Sequence, residues 1–193
     1  VADGNSNPRH VAADMLSQAE HDRSASAVLA TDSPALAEAV RTELERQLSL
    51  LPREEIARAS IEANGKIILT GTIPEAIEIA NALAPEHLEL CVDNPFDYLD
   101  QVKNAGSIFM GRHCPEALGD YFAGPNHTLP TNGAARYASP LSVDDFIKKS
   151  QFTYYTGPAL SAAAGKIAAF ARQEGLEGHA RSVQSRFEEE TEA

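Results

Sequence analysis

Residues 27–34, Ala27-Val28-Leu29-Ala30-Thr31-Asp32-Ser33-Pro34, decide the fold class. A short apolar run of strand length ends in Asp32-Ser33-Pro34, a helix-start signal. Behind it Leu36, Val40, Leu44 and Leu48 recur at helical spacing. Glu38, Arg41, Glu43, Glu45 and Arg46 take the other face, as on a surface amphipathic helix. The same unit recurs along the chain. Lys66 to Thr70, with Ile67, Ile68 and Leu69, reads as a buried strand, and Ile73 to Leu83 as a helix. Leu88 to Val92 is the next strand, Pro95 opens a short helix, and Ser107 to Met110 is another strand. Further helices are predicted over about 8–20, behind Asn7-Pro8, and about 53–63. The alternation predicts α/β layering with a mostly parallel sheet.

After Gly111 the texture changes. His113 to Ala138 is rich in Gly, Pro, Asn and Thr, and a loop of this length in a compact domain is usually functional or disordered. Its Asp120, Asn126 and His127 favour function. Gln151 to Thr156 reads as a strand, followed by helices over about 158–173 and 176–190. The glycines of Glu174-Gly175-Leu176-Glu177-Gly178 suggest a helical hairpin. The expected division is an incomplete Rossmann-like α/β domain, 1–141, and a small helical C-terminal region, 142–193, that serves dimerisation.

The 193 residues are enough for one or two domains with a real core. Apolar content of 43% and charged content of 23% are those of a soluble globular protein. A formal net charge of -12 leaves no basic surplus to neutralise phosphates, which disfavours nucleic acid or an anionic membrane as partner. Part of the acid lies in Glu188-Glu189-Glu190. Cys91 and Cys114 fit neither a metal spacing nor a disulfide framework, so a reduced, cytoplasmic chain is expected. No apolar run approaches a membrane span, and no signal peptide is evident. The opening Val1-Ala2-Asp3 looks like the end of a strand, and with no initiator Met the chain reads as a fragment.

Four places collect metal-ligand or acid/base residue types. Gln18 and His21, three apart on a helix, leave one face together. Glu86-His87 precedes a strand, Asp120 and His127 share the glycine-rich loop, and Glu174 and His179 flank the last helix start. Oxygen and nitrogen donors without thiolates suit zinc or another first-row divalent ion. An adjacent Glu and His suits proton transfer near neutral pH. Each has a plainer explanation. A Q-x-x-H is more often a solvated helix end, Glu86 could cap or salt-bridge, His87 could be a core histidine, Asp120 a turn residue and His179 a surface histidine. His10 and His113 read as structural.

The strings N-P-R-H-V-A-A-D-M-L-S-Q-A-E-H-D, A-P-E-H-L-E-L, G-D-Y-F-A-G-P-N-H-T-L-P-T and S-P-L-S-V-D-D-F closely resemble histidinol dehydrogenase, in order and over nearly the whole chain. That resemblance implies a zinc-dependent homodimer oxidising L-histidinol to L-histidine by two hydride transfers to NAD through an aldehyde. It places Gln18, His21, Asp120 and His179 on the zinc-ligand positions, His179 coming from the partner subunit. It places Glu86 and His87 on the acid/base pair, His87 taking the hydroxyl proton and Glu86 helping to activate water. Glu174, also from the neighbour, and His127 fall on substrate-binding positions, which Gln18, His21, His87, Asp120 and His179 share.

The family's chain is more than twice as long, and the part absent here carries most NAD contacts. No G-x-G-x-x-G occurs in this sequence. The chain alone is therefore expected to bind NAD poorly and to be inactive. The alternative to a dehydrogenase fragment is a non-catalytic dimeric domain that binds a metal or ligand.

Overall fold

A computed structural model describes residues 1–188, and these divide into two compact units, the first Val1–Phe146 and the second from Ile147 onward. The first unit opens with α1 (Pro8–Ala19), β1 (Val28–Thr31), α2 (Pro34–Leu48), α3 (Glu54–Asn64), β2 (Lys66–Leu69) and α4 (Ile73–Leu83). It continues with β3 (His87–Leu90), a 3-10 turn over Pro95–Gln101, β4 (Ser107–Met110) and α5 (Glu116–Tyr121). The helix starts are those the sequence marks. Asn7 accepts from the Arg9 amide, Ser33 from Leu36 and Thr72 from Glu75, each just ahead of a Pro in the first turn.

All the pairing is parallel, in two pairs. β1 meets β2 from Val28↔Lys66 to Thr31↔Leu69, and β3 meets β4 from His87↔Ser107 to Leu90↔Met110. Ala2 stitches the pairs together with parallel bridges to both Thr31 and Cys91. The Ala2 amide donates to Ala30 O (3.1 Å), and Val1 O accepts from the Cys91 amide (2.8 Å). Val1–Asp3 thus runs as a strand segment between β1 and β3, as its sequence suggests. Arg112 secures it by binding the carboxylates of Asp3 and Asp93, the latter at 2.6 Å.

One core gathers Leu16, Leu29, Val40, Leu44 and Leu48 from α1, α2 and β1. A second puts Ile73, Ile77 and Ala80 of α4 against Leu88 and Leu90 of β3. Because side chains alternate along a strand, burying Leu88 and Leu90 sends His87 and Glu89 to the opposite face.

Two expectations fail. Gln151–Thr156 forms no strand; Phe152 and Tyr154 are exposed, and among the described residues no neighbouring strand offers the backbone partners that aromatic and β-branched residues alone cannot replace. The segment 113–138 is not all loop, since it contains α5 and a 3-10 turn at Ala134–Arg136. A six-residue helix is too short to leave a periodic signature.

The second unit is a helical hairpin, α6 (Gly157–Gln173) and α7 (Glu177–Gln184), packed through Ala168, Ala171 and Ala180. Gly175 turns with φ 76°, and the Leu176 amide donates to Ala171 O (2.8 Å). α7 ends before the predicted 190, giving way to a 3-10 turn at Ser185–Phe187. Residues 189 and 190 of the predicted helix and of the acidic run lie outside the described residues. The division between the two compact units falls after Phe146.

Gly106 fixes where β4 begins. Its amide donates to Pro85 O (2.9 Å) and Ser107 N to Glu86 O (2.8 Å), and a Cβ at Gly106 would lie 2.6 Å from the Glu86 carbonyl oxygen. Gly106→Ala should therefore lower stability by about 1–3 kcal/mol, the usual range for overpacking. Urea denaturation reads this directly, and an unchanged midpoint would mean the contact relaxes freely.

Candidate active site

The site is built where α4 hands over to β3. α4 ends at Ala84 in the left-handed region (φ 52°), and the turn through Pro85 delivers Glu86 and His87 to the start of β3. His87 is largely buried. Its Nδ1 lies 3.2 Å from Glu116 Oε1, and Phe109 stands edge-on to its ring at 5.8 Å between centroids. Phe109 needs the space at Gly119, where a Cβ would come within 2.5 Å of its ring. His87 Nε2 is buried without a hydrogen-bond partner among the described residues.

Burial pushes the His87 pKa below its usual value, so the imidazole is held neutral. Glu86 and Asp120 pull against that shift, and His21 and His127 reinforce it. Those four residues therefore surround His87 closely enough to act on its charge. Gln18, Glu86, His87 and Glu116 also line one cavity of ≈ 450 Å³ between α1, β1, β3 and α4. The α/β unit thus gathers six of the eight residues singled out from the sequence. The other two lie in the helical hairpin, where Glu174 caps the end of α6 and His179 occupies the first turn of α7, both exposed.

One detail differs from expectation. α1 stops at Ala19, so His21 stands beyond the helix, in a turn whose amide donates to Gln18 O (3.3 Å). Its carbonyl accepts from Arg53 (3.3 Å). The relation between Gln18 and His21 is therefore set by a turn rather than by a helical face.

Two acids escape sequence reasoning. Glu116 is buried at the head of α5, and burial, then the charges of Asp120 and Glu86, push its pKa up to about 7. Glu89 is pushed up to about 8 by burial and by Asp14. The available signals were spacing alone: Glu116 sits four before Asp120 on one helix, and Glu89 two after His87 on one strand. Cys91 continues that face. It is not in purely apolar surroundings, because its Sγ lies 3.8 Å from Glu89 Oε2. Burial and Glu89 push its thiol up to about 12, which keeps it protonated and inert.

His87, Glu116 and Asp120 bring potential ligand atoms within 4.8 Å of one another. The surrounding donors are imidazole nitrogen and carboxylate or carboxamide oxygen, with Asp120 and His21 both acting on His87 and Gln18 on the shared cavity wall. That donor set fits zinc.

A family model for histidinol dehydrogenase matches residues 1–187. The chain belongs to the histidinol dehydrogenase family. Histidinol dehydrogenase from Halalkalibacterium halodurans is 54% identical over 190 residues, covering 98% of this chain and 45% of the relative. The Geobacter metallireducens protein is 54% identical over 193 residues, covering 100% and 44%. The crystal structure of histidinol dehydrogenase from Elizabethkingia anophelis superposes with a TM-score of 0.87 at 39% identity, over 96% of this chain and 42% of that one. The chain thus spans less than half the length of these histidinol dehydrogenases. Among the described residues no helix is long and apolar enough to cross a membrane.

Glu89 gives the unit a pH signature. Its pKa stands at about 8 in the folded chain against an ordinary 4.5, so folding holds a proton that the unfolded chain releases. The associated stability is full below pH 4.5 and is lost as pH rises toward 8, at about 1.4 kcal/mol per pH unit and a few kcal/mol in all. In urea unfolding, Glu89→Gln should remove a large part of the decline between pH 5 and 8, Glu116 and Asp14 supplying the rest. Parallel stability curves for the two proteins would show that Glu89 ionises freely in the folded state.

Proposed function

We propose that this chain carries the substrate, metal and acid/base half of a histidinol dehydrogenase site, which oxidises L-histidinol to L-histidine with two NAD. The observation that carries the reading is His87. It is largely buried and neutral, anchored through Nδ1 to Glu116, with Nε2 bare and Glu86, Asp120, His21 and His127 close enough to act on its charge.

Gln18, His21 and Asp120 would hold zinc, with His179 of a second subunit as the fourth ligand in a homodimer. When bound, zinc supplies a fixed positive charge that grips the nitrogens of histidinol, and NAD supplies the hydride acceptor. The protein's share is position and proton transfer. With a proton on Nδ1 held toward Glu116, His87 presents a lone pair at Nε2. In the first oxidation the carbinol C–H leaves as hydride while Nε2 takes the hydroxyl proton, giving the aldehyde. Glu86, the residue before His87, takes a proton from water as that water's oxygen bonds to the aldehyde carbon, while the carbonyl oxygen takes the proton His87 gained, giving the hydrate. His87 is thereby neutral again for the second oxidation, and Glu86 returns its proton to solvent. The hydrate then loses a second hydride, and Nε2 takes a second hydroxyl proton, giving the acid.

The Glu116 carboxylate faces the imidazolium that forms, so it stabilises the charged state without touching substrate. Phe109 holds the ring plane. Glu174 and His127 are proposed contacts to the polar ends of histidinol, His127 being exposed near His87 and Glu174 coming from the second subunit.

In the full-length dehydrogenase, His87→Asn should lower kcat by about 10²–10⁴-fold with little change in KM, the usual weight of a positioned base. Activity within a few-fold of the parent would refute the assignment. For the 193-residue chain alone, zinc content and native mass are the first measurements. Stoichiometric zinc in a dimer, without NAD-dependent turnover, is the expected result. NAD-dependent turnover by the chain alone would refute the inactivity, and a zinc-free monomer would refute an intersubunit site assembled from these residues.

A further inference from the structure

Below the catalytic histidine lies a second layer of acid that the proposed mechanism does not use. Glu89 follows His87 on the same face of β3 and reaches in two directions. Its Oε1 accepts the amide N–H of Glu116 at 2.9 Å, the first residue of α5. Its carboxyl also meets that of Asp14 on α1, with oxygens within 4.8 Å. Asp14 stands one turn before Gln18 on α1, and Glu116 one turn before Asp120 on α5. α5 has no side-chain cap at its N-cap position, where Pro115 cannot supply one. One carboxyl group therefore joins the three elements that carry Gln18, His87, Glu116 and Asp120.

We propose that Glu89 is a positioning residue for the dehydrogenase site, registering α5 against β3 and α1 so that Glu116 meets His87 Nδ1 and Asp120 comes within reach of Gln18 and His21. This rests on the functional reading above. The physical argument is one of connectivity. α5 is six residues long, follows the irregular segment 111–115 and is followed by another, so its own backbone bonds fix its position weakly. The only side chain of the described residues that holds its first amide is Glu89. Asp14 in turn lies against the Glu89 carboxyl and so restricts its rotamer. Losing this tie would displace Glu116 and Asp120 together, leaving His87 on its strand. Displacements of about 1 Å at such distance from the chemistry can lower rates by 10²-fold.

The test uses two variants in the full-length dehydrogenase. Glu89→Gln keeps an acceptor oxygen for the Glu116 amide; Glu89→Leu removes it at similar volume. Glu89→Leu should lower kcat by about tenfold or more and weaken zinc retention against a chelator, while Glu89→Gln stays within about threefold of the parent. Amide hydrogen exchange supplies a readout independent of turnover. The Glu116 amide should be protected in the parent and in Glu89→Gln, and should exchange as an exposed amide in Glu89→Leu. A Glu116 amide that exchanges freely in the parent would overturn the proposal without any variant, even if Glu89→Leu failed to fold. So would a Glu89→Leu enzyme with parental kcat and zinc retention. A parental rate for His87→Asn would instead remove the functional reading, leaving the exchange result as evidence on the tie alone.

Discussion

The period-two alternation of β3 is the constraint on which the rest depends. Leu88 and Leu90 are buried against Ile73, Ile77 and Ala80, and that demand leaves His87, Glu89 and Cys91 no choice of side. A one-residue slip of β3 would bury His87 under α4 and expose two leucines. The apolar face therefore sets the register of the chemical face. The parallel pairing with β4 brings Phe109 beside Glu89 in register, from where its ring reaches His87.

The electrostatics follow from the same face. Three acids, Asp14, Glu89 and Glu116, share a desolvated neighbourhood, and full ionisation of all three would be costly. Burial raises all three, and neighbouring negative charge raises Glu89 and Glu116 further, so the protein holds protons there near neutral pH. A partly protonated acid layer under His87 has a specific advantage. Fully charged, it would draw His87 toward the imidazolium and away from the base role proposed for it; the balance leaves the ring neutral, with Glu116 placed beside Nδ1. The net charge of the chain as a whole is mostly on exposed helix faces and says little about this pocket.

Much of the fold was legible. Helix-start signals at Asn7-Pro8 and Asp32-Ser33-Pro34, helical periodicity and apolar runs of strand length gave nearly every element of the first unit, because capping and periodicity are local. What failed was non-local or too short. Gln151–Thr156 has strand composition without a partner, and composition cannot reveal a missing neighbour. α5 is shorter than two turns. At the site, Gln18, His21, Glu86, His87, Asp120 and His127 stand out as residue types, and four long strings tie the chain to a family. Glu116 and Glu89 were missed because a carboxylate's role here comes from burial, and burial depends on contacts between α1, β3 and α5 that no spacing in the sequence encodes.

The placement of the donors also bears on why a site of this kind needs a rigid floor. Gln18 closes α1, His21 sits in the turn after it, and Asp120 rides on a six-residue helix, so none of the three is held by its own element as firmly as His87 is by β3. A cation drawn to such a set would have to order it on arrival, and the ordering entropy would subtract from affinity. Elements already joined beneath the site by hydrogen bonds carry that cost in folding instead of in binding. The raised pKa of Glu89 fits such a floor: one proton shared between the Asp14 and Glu89 carboxyls lets the pair meet without repulsion, while Glu89 Oε1 still accepts the Glu116 amide, so α1 and α5 are tied to β3 at once.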